Sequence, residues 1–179
     1  MSADYTALPP YTSPVDAEPL LGEVARHLNR VSLEAVLIGN AAAALHGAPV
    51  TTVDFDFLIR KTPRNMAKLK DVARGLGATI LRPYYPMSDL HRVVRDDDGL
   101  QVDFMATIHG VRSFAGLRDR ATRVEIGGAP ILVASLTDII KSKRAARRPR
   151  DLAVIDILER TREESSKQAG PTGRSRPRK

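Results

Sequence analysis

The 179-residue chain predicts an α/β domain built on a mixed β-sheet flanked by helices, and three observations carry that expectation. Short apolar runs of strand length alternate with stretches of helical periodicity, in the order α-β-α-β-α-β-β-β-α-ββ-α-α. Two turn signals, Asp96-Asp97-Asp98-Gly99 and Gly127-Gly128, sit between strand-like segments and mark hairpins. A hydrophobic share of 42% against 27% charged residues is enough for one core of this size.

Residues 1–15 are rich in Pro, Tyr, Ser and Thr without periodicity and read as an extended arm. Asp16 can cap a helix over 17–30, with Leu20, Leu21, Val24, Ala25 and Leu28 on one face. Leu33–Ile38 is an apolar strand that Gly39-Asn40 ends, and Ala41–Leu45 has room for about two helical turns before Gly47. A second strand covers Val53–Arg60. Thr62 and Pro63 then start a helix to Arg74, closed by Gly75 and Gly77.

Ala78–Leu81 reads as a strand and residues 82–88 as irregular, with a Pro-Tyr-Tyr-Pro segment that could set a ring beside a site. His91–Arg95 and Leu100–Ala106 form the first hairpin; Asp-Gly turn chemistry accounts for the three consecutive aspartates better than a metal does. A short helix over Val111–Arg120 precedes the second hairpin, Arg123–Ile126 with Pro130–Val133. Ser135 has capping-box spacing to Asp138, Pro149 restarts a helix, and from Thr161 the chain is polar and reads as disordered. The expected organisation is thus an arm over 1–15, one domain over 16–160 and a basic tail over 161–179.

Charge is unevenly placed within the net +7. Residues 141–150 carry +6 and the last 19 residues +4, which leaves the rest of the chain at −3. A mildly acidic body with a basic cluster and tail suits a polyanionic partner, a nucleic acid or a nucleotide's phosphates. A solvated helix face is the plainer reading of the cluster. Yet Lys143 and Arg147 are i, i+4 neighbours of like charge, which weakens a helix unless an anion binds. No cysteine is present, which excludes disulfides and Cys-based zinc sites. No apolar run of membrane-spanning length or secretory leader is visible, so a soluble cytoplasmic chain without membrane contact is expected.

Acids on strands point to chemistry. Asp54 and Asp56, two apart, project from one strand face, where like charges are unfavourable unless neutralised. On the pair alone a solvated strand edge is the simpler reading. Asp103 adds a third carboxylate on a mostly apolar strand. Three acids could hold Mg²⁺ ions that activate a hydroxyl and stabilise a leaving pyrophosphate, and Gly39-Asn40 before a helix could cradle phosphates. His46 reads as a structural cap rather than a nucleotide contact; His91 and His109 carry no assignment.

Gly39-Asn40, then after thirteen intervening residues Asp54-Phe55-Asp56, and Asp103 in QVDFM together resemble the polymerase-β-like nucleotidyltransferase superfamily. IGNAAAALHG, TTVDFDFLI and the stretch from Lys143 through Arg147, Arg148 and Asp151 are similar to its AbiEii-like or MenT-like toxins of toxin–antitoxin pairs. The resemblance spans roughly residues 33–160 and implies a polymerase-β-like nucleotidyltransferase fold with C-terminal helices. It also implies that Asp54 and Asp56 bind Mg²⁺, and that Asp103 completes the set or acts as general base. Gly39 and Asn40 would then hold the triphosphate. Lys143, counted with the acids as catalytic, would neutralise phosphate together with Arg147 and Arg148, and Asp151 would orient one of these cations. The implied reaction adds nucleotides from a nucleoside triphosphate such as CTP to RNA, at the tRNA 3′ acceptor end, under control of a cognate antitoxin. An antibiotic or protein hydroxyl as acceptor, or an idle binding module, are the alternatives. Asn40 departs from the group's Gly or Ser, and Val154 stands where a second closing Asp is common; no role transfers to Asp156.

Overall fold

A computed structural model describes residues 17–52, 54–83 and 89–168. Seven helices and seven strands occur among them: α1 Ala17–Arg30, β1 Ala35–Ile38, α2 Gly39–Leu45, β2 Phe55–Ile59, α3 Pro63–Gly75, β3 Thr79–Leu81, β4 His91–Arg95, β5 Leu100–Met105, α4 Phe114–Asp119, β6 Thr122–Ile126, β7 Ala129–Val133, α5 Leu136–Ala146, α6 Pro149–Leu152 and α7 Ile155–Gln168. The strands form one sheet in the order β3-β4-β5-β2-β1-β7-β6. β1 runs antiparallel to β2 but parallel to β7, and β2 runs parallel to β5, so the sheet is mixed as expected.

The local chemistry explains most boundaries. Thr62 caps α3 by accepting from the Asn65 N–H, with Pro63 in the first turn, where its missing N–H costs nothing. The Asp-rich turn closes the β4–β5 hairpin, and Asp98 is tied to Arg95 at 2.7 Å. Gly127 and Gly128 both take positive φ, 54° and 75°, as a two-residue hairpin between β6 and β7 requires.

The central strands β1 and β2 are buried almost throughout, so they need cover on both faces. α2 and α5 pack together on the face that carries the acids; α1 packs on β6 and β7 and against α3. Phe57 and Phe104 stack with centroids 5.6 Å apart inside this core, and alternation along each strand sends their acidic neighbours to the other face.

Several boundaries differ from expectation. β1 starts at Ala35, because Leu33 still closes the α1 turn with its N–H on the Leu28 carbonyl. β2 starts at Phe55, which leaves Asp54 on a bend at the strand's mouth rather than within it. α4 starts at Phe114, where Ser113 supplies the cap. The helix expected from Pro149 breaks into α6 and α7, and α7 runs on to Gln168, past the expected domain end at residue 160. Thr161 is buried there, and Glu159 pairs with Arg144 of α5. The 1–15 arm, the Asp16 cap, the Tyr-Tyr segment and residues 169–179 lie outside the described residues, as does Val53.

Candidate active site

Sheet register brings the acids together. Asp56 lies directly opposite Asp103 in the parallel β2–β5 pair, so the two side chains stand side by side on one face. Asp54, two residues earlier, joins them, and each of the three offers a carboxylate oxygen within 4.8 Å of the others. Their support is unequal. Asp103, only 4% exposed, accepts from Arg92 at 2.8 Å (Nε to Oδ1) and 2.7 Å (Nη2 to Oδ2). Asp54 accepts from uncharged groups, Thr52 Oγ1 at 3.2 Å and Gln101 Nε2 at 3.3 Å. Asp56 meets no donor among the described residues. Burial, reinforced by the charges of Asp54 and Asp103, pushes its carboxyl up to about 7, against a weaker opposing pull from Lys143 and Arg150. Such a donor set fits a metal ion: oxygen ligands only, converging, with more negative charge than the local cations offset.

Gly39 stands against this cluster. Its φ is +70°, and a Cβ there would lie 2.5 Å from Asp56 Oδ2, so both conformation and space demand glycine. Asn40 does not simply face a phosphate. Its Nδ2 donates to the Thr51 carbonyl at 3.2 Å, bracing the segment that leads to Asp54, and its buried Oδ1 has no partner among the described residues.

The opposite wall comes from α5 and α6. Ser135 caps α5 and also donates to Asp138 at 2.8 Å; Arg120 grips the same carboxylate at 2.7 Å. Burial works against the Asp138 charge, but Arg120 and Ser135 outweigh it and hold its carboxyl below the usual range. So anchored, α5 presents Lys143, whose Nζ donates to Asp151 at 3.0 Å with both side chains close to 90% buried (11% and 12% exposed). The cation that Asp151 accepts from is thus Lys143. Arg147 takes another part: it ends α5 in the left-handed region at φ 53° and is not among the residues lining the cleft. Arg148 and Arg150 do line it.

The cleft between these walls has a volume of about 820 Å³. Gly39, Asn40, Asp54, Asp56 and Asp103 line it together with Lys143, Arg148, Arg150 and Asp151, while Leu90, Met105, Ile108, Leu117 and Ile139 add apolar lining and His109 also borders it. His46 is structural, bonded through Nε2 to the Ala134 carbonyl at 2.9 Å, and His91 Nδ1 lies 3.2 Å from the Asp89 carbonyl. Four participants went unread in the sequence: Thr52, Arg92, Gln101 and Arg150. Hairpin register could have found two of them. With Arg95 opposite Leu100 across the Asp-Gly turn, Arg92 falls opposite Asp103, and Gln101 shares the face of Asp103.

No curated protein matches the chain. Among solved structures it is similar to the lincomycin-bound lincosamide antibiotic adenylyltransferase LnuA, at TM-score 0.58 and 12% identity over 79% of this chain and 96% of the other. It is also similar to ANT(2")-Ia in complex with adenylyl-2"-tobramycin, at TM-score 0.55 and 14% identity over 85% and 98% of the two chains. A third, an antigenic nucleotidyltransferase-like protein from Paracoccidioides brasiliensis, aligns at TM-score 0.53 and 16% identity over 82% and 76%. These likenesses establish a polymerase-β-like nucleotidyltransferase fold. Residues 18–169, from α1 to the end of α7, match the family described as nucleotidyl transferase of unknown function (DUF2204), and the chain belongs to that family.

Proposed function

We propose that the protein is a Mg²⁺-dependent nucleotidyltransferase that moves a nucleotide from a nucleoside triphosphate onto RNA, at the 3′ acceptor end of tRNA, as a growth-inhibiting toxin restrained by a cognate antitoxin. The observation that carries the chemistry is the convergence of Asp54, Asp56 and Asp103 across a cleft from Lys143, Arg148 and Arg150. In the transfer, an acceptor hydroxyl oxygen bonds to the α-phosphorus, the bond to the bridging oxygen breaks, and pyrophosphate leaves. Asp54 and Asp56 would hold Mg²⁺, which when bound supplies Lewis-acid stabilisation of the attacking and leaving oxygens. Asp103 completes the carboxylate set or takes the hydroxyl proton. Gly39 lets the backbone come close to the cluster, and Arg148 and Arg150 offset triphosphate charge, with Lys143 held ready by Asp151.

The acceptor is argued from charge. Residues 141–150 hold six basic residues and no acid, and three of the six, Lys143, Arg148 and Arg150, line the cleft; on a chain of net +7 this suits a polyanion better than a small neutral acceptor. The toxin role rests on the resemblance of the Gly39-Asn40, Asp54-Phe55-Asp56 and Lys143–Asp151 motifs. A second reading, transfer to a small-molecule hydroxyl, is favoured by the apolar residues that line part of the cleft and by the fold shared with LnuA and ANT(2")-Ia. Incubation with labelled nucleoside triphosphates, Mg²⁺ and total tRNA separates them. Label in tRNA is expected; label only in added small molecules or protein would replace the RNA reading, and no label with any acceptor would leave a binding module.

A further inference from the structure

The three carboxylates are not equivalent, and the difference lies in what holds each one. Both Asp103 oxygens are engaged by one guanidinium, at 2.8 and 2.7 Å, in the two-pronged geometry that makes Arg–carboxylate pairs strong and directional. The pair is set by the sheet: Arg92 and Asp103 face each other in the antiparallel β4–β5 register, and Asp103 is 4% exposed. Among the described residues Asp54, by contrast, is steadied only by neutral donors, Thr52 and Gln101, which orient a carboxylate without offsetting its charge. Uncompensated negative charge is therefore concentrated on Asp54 and Asp56, enough for one divalent cation.

We propose that Arg92 is a positioning residue that withholds Asp103 from the first cation. The free protein then takes one divalent ion on Asp54 and Asp56. Asp103 is drawn into coordination only when a nucleoside triphosphate brings a second ion and the phosphate charge that competes for Arg92. The guanidinium both occupies the Asp103 oxygens and repels a nearby cation, so its removal should favour a second ion in the free protein. This rests on the cation site proposed above. A purely structural Arg92, one that only offsets a buried acid at the hairpin, predicts lower stability without any change in how many ions bind.

The test is Mn²⁺ binding to the full chain, counted by electron paramagnetic resonance with and without a non-hydrolysable triphosphate analogue. Wild type should bind one ion alone and two with the analogue. Arg92→Gln should bind a second ion without the analogue, tightened by about tenfold or more. Arg92→Lys, which keeps the charge but loses one prong and protects against the loss of fold in the first variant, should fall between. Unchanged stoichiometry and affinity in both folded variants would overturn the inference, as would two ions on the free wild type. Failure of wild type to bind Mn²⁺ under either condition would instead remove the cation site itself.

Discussion

Asp56 should make the metal-free protein less stable as pH rises, and Asp56→Asn should remove that dependence. The carboxyl is raised from 3.8 to about 7, first by burial and then by the charges of Asp54 and Asp103. Between those values the folded chain binds a proton that the unfolded chain has released, so stability falls with increasing pH through the window from about 4 to about 7. At about 1.36 kcal/mol per unit, a shift of about three units costs about 4 kcal/mol once Asp56 is fully ionised. Roughly 2–3 kcal/mol of that cost accrues between about pH 5 and about pH 8. Asparagine has nearly the same shape and no charge, and Asp56 has no donor among the described residues to lose. Urea unfolding in EDTA should therefore find the variant more stable than wild type at about pH 8, with the gap shrinking by roughly 2–3 kcal/mol at about pH 5. Added Mg²⁺ should stabilise wild type and leave the variant largely unmoved. A gap that is absent at about pH 8, or the same at both pH values, would refute the argument that Asp56 is an uncompensated buried acid.

Other substitutions probe the walls of the cleft. Gly39→Ala places a methyl 2.5 Å from Asp56 Oδ2 at φ +70°, and should cost about 1–3 kcal/mol in thermal or urea unfolding while weakening Mn²⁺ binding. Arg147→Gly should raise stability by about 1 kcal/mol, because it relieves a left-handed residue at the α5 end, and leave nucleotide affinity unchanged; weakened affinity would return Arg147 to the phosphate site. Lys143→Ala should weaken triphosphate use in transfer assays and destabilise the fold by about 3 kcal/mol, since it strands Asp151 inside. Arg150→Ala should weaken nucleotide binding with stability within about 0.5 kcal/mol of wild type, as expected for an exposed side chain.

Much of the fold was legible because local chemistry and pattern agreed. Thr62-Pro63, the Asp-Gly turn, Gly127-Gly128 and Ser135 each specify one boundary through a hydrogen bond or a dihedral that few residues can supply. The acids were legible for a different reason: Asp56 and Asp103 are charges on strands whose other positions are mostly apolar. What escaped depended on three-dimensional neighbours. Arg147 and Arg150 have the same chemistry, and only the left-handed turn after Ala146 decides that Arg148 and Arg150, not Arg147, border the cleft. Asn40 reads as part of a phosphate cradle, and nothing in the local sequence shows that its Nδ2 donates to Thr51, a partner eleven residues away. Residues 161–168 were read as tail because they are polar, and the first turns of a helix docked by Ile155, Leu158 and Thr161 carry them on in helical form.

The central claim is that Asp54, Asp56 and Asp103 form a cation site that drives nucleotidyl transfer. Its most direct test is transfer of label from α-labelled nucleoside triphosphates to total tRNA, run with Mg²⁺ and with EDTA, on wild type beside Asp54→Ala and Asp56→Ala. The account expects label in tRNA for wild type with Mg²⁺, none with EDTA, and none from either variant although both remain folded by circular dichroism. Transfer retained by both folded variants would contradict it.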